Sequence, residues 1–155
     1  MLKTYETRTW HEHFADSTIH NAICQVENGD ILHFANLAFT LLPEEARLLS
    51  SQYVDPKAKH ISYQSDKNRL WGVQHLSDHE HDLLKIMLER FTRESYVLIQ
   101  NLLTPYRSQL ITGRTSFRPI EVNGRKASYR KDDTRLHVDA FPSAPNQGKR
   151  ILRVF

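Results

Sequence analysis

The stretch from Arg130 to Ser143, RKDDTRLHVDAFPS, places His137 and Asp139 two residues apart. On a strand, side chains at i and i+2 share a face, so an imidazole nitrogen and a carboxylate oxygen can meet at one point in space. Such a pair is two-thirds of a facial triad. Two histidines and one carboxylate on one face of an octahedral ferrous ion leave three positions for a bidentate co-substrate and dioxygen. The spacing alone is weak evidence, since nine His and nine Asp in 155 residues give roughly half of one such pair by chance. An incidental pair at an exposed strand end is the competing reading until context is added.

The triad needs a second histidine. The segment HLSDHEHD offers His75, His79 and His81, but His79 and His81 fall in the first turn of an expected helix, where i and i+2 diverge by about 200°. They read as surface residues. His11 and His13 form a His-x-His pair in a polar N-terminal stretch expected to be solvated or disordered, and His33 alternates with apolar neighbours as a half-buried histidine does. None is assigned as a ligand. A lone cysteine, Cys24, and no clustered ligands leave nothing tetrahedral for zinc. Cys24 is expected as a buried small hydrophobe in a reducing compartment.

Arginines surround the pair. A guanidinium fork suits carboxylates and phosphates, and Arg118, Arg135, Arg150 and Arg153 flank His137 and Asp139 on strands or strand ends. Arg135 shares their strand face and is placed nearest the site; Arg118, Arg135 and Arg153 are the substrate-contact candidates. Ser116 and Ser143 read as turn or strand hydroxyls.

The elements that must position these residues divide the chain. IHNAICQVENGDILHFANLAF gives two short apolar runs around Asn28-Gly29-Asp30, which predicts a hairpin. LLPEEARLLSS predicts a short helix with Pro43 in its first turn and Glu44 and Glu45 near the positive end of the dipole. Residues 52–70 read as a polar loop. Ser77 and Glu80 form a capping box, behind which Leu84, Met87, Leu88, Phe91, Ser95, Leu98 and Leu102 recur at spacings of three and four. They predict an amphipathic helix over 78–103, ended by Pro105. Beyond it SFRPIEV, SYRKDD, RLHVDAF and RILRVF read as short strands separated by Asn123-Gly124 and PSAPNQGK. The expected class is α+β in one domain: 1–105 mainly helical, and 106–155 beginning an antiparallel sheet.

Composition narrows the partners. Thirty-nine per cent apolar residues in 155 suffice for one ordinary core. No apolar run approaches the roughly 18 residues of a membrane span, and no secretory signal core is present, so a cytoplasmic location is expected. The net charge of +3 is unevenly spread: residues 107–155 hold eleven Lys and Arg against four acids, or +7, leaving −4 for the rest. A basic half meets anions. No RNP, zinc-finger or Walker pattern is present and no aromatics interleave with the basic run, so nucleic acid is not expected.

From SFRP through RKDDTRLHVDAFPSAPNQGKRILRVF, and again over ENGDILHFANLAFTLLPEE, the sequence resembles the iron(II)- and 2-oxoglutarate-dependent hydroxylases that oxidise the 3-position of 3-deoxy-D-manno-oct-2-ulosonic acid (Kdo), the acidic sugar of the lipopolysaccharide inner core. The resemblance covers most of the chain. It implies that His137 and Asp139 are the first two iron ligands, at the end of an early strand of a jelly-roll (double-stranded β-helix) barrel. It implies Fe(II) and 2-oxoglutarate as cofactor and co-substrate, and a Kdo-lipid A type glycolipid met at the cytosolic face of the inner membrane. In that family the second histidine and the arginine gripping 2-oxoglutarate come from later strands. With the sequence ending at Phe155, the expectation is an incomplete barrel: a fragment or truncated form of the hydroxylase, inactive alone and prone to self-association through an exposed strand edge. The alternative is a noncatalytic remnant or binding domain with a basic face and no complete metal site.

Overall fold

A computed structural model describes residues 1–119 and 145–155 of the chain. The chain divides into two compact units, Met1–Pro119 and Ile120–Phe155.

The first unit is a mixture of helix and sheet. Strand β1 (Leu2–Tyr5) leads through helix α1 (Asp16–Glu27) to strand β2 (Ile31–Phe34). The two strands pair in parallel, Leu2 opposite Ile31 and Tyr5 opposite Phe34, as a helical crossover permits and a two-residue turn does not. The hairpin expected at Asn28-Gly29-Asp30 is therefore absent. Ile19, Ala22, Ile23 and Val26 carry helical spacing, with Ala22 fully buried and Asp16 in the first turn. Gly29, at φ 76°, ends the helix: its N–H donates to the Val26 carbonyl (3.0 Å) and that of Asp30 to the Gln25 carbonyl (2.9 Å). This is a Schellman cap. Both motifs need a residue at positive φ, so Asn-Gly alone does not separate them.

Two other sequence expectations change here. Cys24 lies on the exposed side of α1, and His33 on the exposed side of β2, because Leu32 and Phe34 take the inward positions. The N-terminal stretch is tied down as well. Trp10 Nε1 donates to the Ala38 carbonyl (3.2 Å), Asn101 Nδ2 to that of Glu12 (3.1 Å), and the Trp10 ring meets Phe91 edge-on at 6.1 Å.

The segment 52–70, expected as a loop, contains strand β3 (Ile61–Gln64) and the approach to strand β4 (Arg69–Trp71). A 3-10 turn over Ser65–Lys67 and Asn68 at φ 45° join them. Strand β5 (Thr115–Phe117) pairs on the other side of β3, giving the antiparallel order β4-β3-β5. Ile61, Tyr63 and Leu70 face the core while Ser62, Gln64 and Arg69 do not. The inward set is too short and too interrupted by polar residues for its alternation to stand out in the sequence. Gly72, at φ 72°, follows β4 where a Cβ would sit 2.5 Å from the His60 carbonyl oxygen. Only glycine fits there.

Helix α2 (Asp78–Leu102) spans the unit, about 37 Å at 1.5 Å per residue. Its start is the expected capping box: Glu80 N–H donates to Ser77 Oγ (3.3 Å) and Ser77 N–H to Glu80 Oε2 (2.9 Å). The Tyr53 hydroxyl donates to Glu80 Oε1 at 2.6 Å. That bond first, and then those from Ser77, hold the Glu80 carboxyl down to about 2. The same bond, with burial, pushes the Tyr53 hydroxyl up.

The predicted stripe is buried at Leu84, Met87, Leu88, Ser95, Leu98 and Leu102. The N-terminal half of α2 packs with Leu48, Tyr53, Val54, Ile61, Tyr63 and Leu70 against the three-stranded sheet. Its C-terminal end packs Leu102 and Leu103 with Ala22 against α1 and the two-stranded sheet. Each such side chain contributes about 1.5–3 kcal/mol by leaving water.

The short helix at Pro43 is a 3-10 helix, Pro43–Leu48. Its Glu45 is fully buried, accepts from the Leu42 N–H at 2.8 Å and pairs with Arg90 of α2. Arg90 also donates to the Thr40 carbonyl (2.9 Å) and lies 4.2 Å from the Phe39 ring centre. A buried carboxylate with this partner locks the helix to α2, a role beyond the dipole interaction its position suggested.

In the second unit, residues 145–155 contain a turn with Gln147 and Gly148 at positive φ, closed by Lys149 N–H to the Asn146 carbonyl at 3.0 Å. RILRVF, expected as a strand, has no strand assignment over its described residues. Its composition favours extension, but a strand is completed by a ladder partner.

Candidate functional site

His137, Asp139 and Arg135 lie outside the described residues, as does Ser143. The donor chemistry of the pair nevertheless suits the implied metal: neutral imidazole nitrogen and carboxylate oxygen are the ligands of non-heme ferrous sites. Among the described residues no three His, Cys, Asp or Glu side chains stand close enough to hold a metal ion. His11 Nε2 is engaged with Glu94 Oε2 at 2.5 Å. His13, His33, His75 and His79 are exposed, and His81 Nδ1 lies 3.9 Å from the neighbouring Asp82 carboxylate.

Of the substrate candidates, Arg118 follows β5 directly and is exposed, and Arg153 is exposed in the second unit. Ser116 stands on β5 opposite Ser62 and is a strand hydroxyl, as expected. Register then assembles a surface that the sequence did not reveal. Across the outward face of the sheet Trp71 of β4 pairs with Ser62, and Ser62 with Ser116; Arg69 pairs with Gln64. Arg114, one residue before β5, reaches the same ring: its guanidinium carbon is 5.0 Å from the Trp71 centre and that of Arg69 is 5.2 Å. Two cations thus converge on one aromatic platform. The signal was Arg69-Leu70-Trp71, a period-two triplet hidden in a stretch read as loop.

The family model for 3-deoxy-D-manno-oct-2-ulosonic acid (Kdo) hydroxylase matches residues 9–155. Among solved structures, the Kdo hydroxylase KdoO, described as a non-heme Fe(II) alphaketoglutarate-dependent dioxygenase, is similar in several states. Its complex with alphaketoglutarate and Fe(III) superimposes with a TM-score of 0.88 at 38% identity, over 96% of this chain and 49% of that one. The cobalt(II) complex gives 0.89 at 40% identity, over 96% and 50%, and the complex with succinate and Fe(III) gives 0.87 at 38%, over 96% and 49%. The chain therefore spans about half the length of the KdoO structures it matches. No curated protein sequence matches it. A family match over nearly the whole chain, joined to close structural likeness at this identity, places the chain in the Kdo hydroxylase family.

Proposed function

We propose that this chain carries part of the machinery of an Fe(II)/2-oxoglutarate-dependent hydroxylase acting at the 3-position of Kdo in a Kdo-lipid A type glycolipid. The observation that carries the reading is the family match over residues 9–155, supported by the Fe(III) and alphaketoglutarate bound to KdoO. In this reading His137 and Asp139 hold the iron from one strand face, with Arg135 beside them. Iron with 2-oxoglutarate supplies the oxidising power: dioxygen delivers one oxygen atom to the sugar C–H bond and the other to the succinate formed as carbon dioxide leaves. The chain's own contribution is to aim two donors at one point and to meet an acidic substrate with positive charge. The basic residues of 107–155 also suit a glycolipid presented at the cytosolic face of an anionic membrane. No helix among the described residues is long and apolar enough to cross a membrane.

A chimera tests the reading: this chain replaces the half of KdoO that it matches. The chimera is expected to form succinate and Kdo hydroxylated at the 3-position, and His137→Ala within it is expected to abolish both. A His137→Ala chimera as active as its parent contradicts the ligand assignment. Hydroxylation at another carbon contradicts the substrate.

A further inference from the structure

The outward face of the β4-β3-β5 sheet bears two arginines, Arg69 and Arg114, aimed at the same indole. Among the described residues neither forms an ion pair. Like charges brought together without a carboxylate are costly unless something anionic joins them. Each guanidinium carbon lies about 5 Å from the centre of the Trp71 ring, and a guanidinium is the planar fork that suits a phosphate. Ser62 and Ser116 sit in the same cross-strand row as Trp71, and each can add a hydroxyl donor. Gln64, paired with Arg69 across β3 and β4, donates to Asp66 at 3.2 Å. Asp66 is followed at once by Lys67.

We propose that this face binds a phosphate group carried on the sugar of the substrate glycolipid, with Arg69 and Arg114 as the anion fork and Trp71 as the platform that orients them. The identity of the occupant rests on the glycolipid reading above. The phosphate chemistry rests on the paired arginines alone. The face lies in the unit Met1–Pro119, whereas His137 and Asp139 fall in the unit Ile120–Phe155.

The test uses the full chain and co-sedimentation with phosphatidylcholine vesicles containing lipid A, the same vesicles with lipid A enzymatically dephosphorylated, and inorganic phosphate as competitor. Wild type is expected to bind the phosphorylated vesicles and not the dephosphorylated ones, with inorganic phosphate competing only weakly. Arg69→Ala with Arg114→Ala is expected to lose about tenfold or more in affinity, as removal of charged hydrogen bonds predicts. An Arg8→Ala, Lys57→Ala pair controls for net charge and is expected to keep at least most of the binding. The proposal is overturned if the Arg69, Arg114 variant binds as wild type does, if the control pair loses as much, or if dephosphorylation changes nothing. Inorganic phosphate binding as tightly as the vesicles overturns the glycolipid as occupant. His137→Ala separates the two readings, since it is expected to leave vesicle binding unchanged even if the chimera never hydroxylates Kdo.

Discussion

Residues 1–119 hold two packed clusters, two sheets and a long helix, yet among their described positions no three metal-binding side chains meet. The candidate iron ligands, His137 and Asp139, fall in the unit Ile120–Phe155. The contrast separates two kinds of sequence information. A scaffold is written in periodic apolar residues whose energy comes from burial, whereas a metal site is written in two or three donors whose energy comes from a bond to an ion. Substitutions in one part should therefore move stability and leave ligand chemistry alone, and the reverse should hold in the other.

The largest effect is expected in the core that α2 shares with the three-stranded sheet. Leu84 is 1% exposed, and Leu84→Ala is expected to cost about 3–4 kcal/mol in urea unfolding, the range for a leucine cavity in a packed core. A loss under about 1 kcal/mol would mean that this cluster is not the scaffold's main support. Next comes the ion pair between Arg90 and Glu45. Arg90→Met strands a fully buried carboxylate and is expected to cost about 3 kcal/mol. The double replacement Arg90→Met, Glu45→Leu should recover much of that loss, and a double variant as unstable as the single would show that the cost is packing rather than charge.

The smallest effect is electrostatic and sits at the start of α2. Glu80 is held below its ordinary value of 4.5, at about 2. A carboxyl lowered in the folded state contributes stability above its unfolded value and loses it as pH falls through the folded one. Thermal stability should therefore decline between about pH 4.5 and pH 2 in the wild type. Glu80→Gln should flatten part of that decline while lowering stability at neutral pH. Parallel acid limbs for the two proteins would show that the Tyr53 and Ser77 bonds do not hold the carboxylate in solution.

How much of this was legible follows the same division. Helix α2 was readable because Ser77 and Glu80 announce its start and seven residues recur behind it at spacings of three and four, six of them buried. Strands β3 and β4 were not, because four and three residues are too few for a period to outweigh the surrounding lysines, serines and asparagine. Asn28-Gly29 was legible as a reversal and ambiguous in kind, since hairpin and helix cap make the same demand on φ. The burial of Glu45 was invisible: its partner Arg90 lies 45 residues away, and only the tertiary fold brings them together. Arg69, Trp71 and Arg114 were hidden for the same reason, being one cluster contributed by two strand segments separated by the whole of α2. His137 and Asp139, by contrast, stood out at once because two donors separated by a single residue in the sequence need no fold to be recognised as a pair.

The most direct test of the central claim, that this family member holds iron through His137 and Asp139, is anaerobic calorimetric titration of Fe(II) into the 155-residue chain and three variants. His137→Ala and Asp139→Ala are expected to lose binding, with thermal unfolding of the scaffold unchanged, while His75→Ala keeps the wild-type affinity. Equal Fe(II) affinity in the wild type and His137→Ala would contradict the assignment and move the search for the metal site elsewhere in the chain.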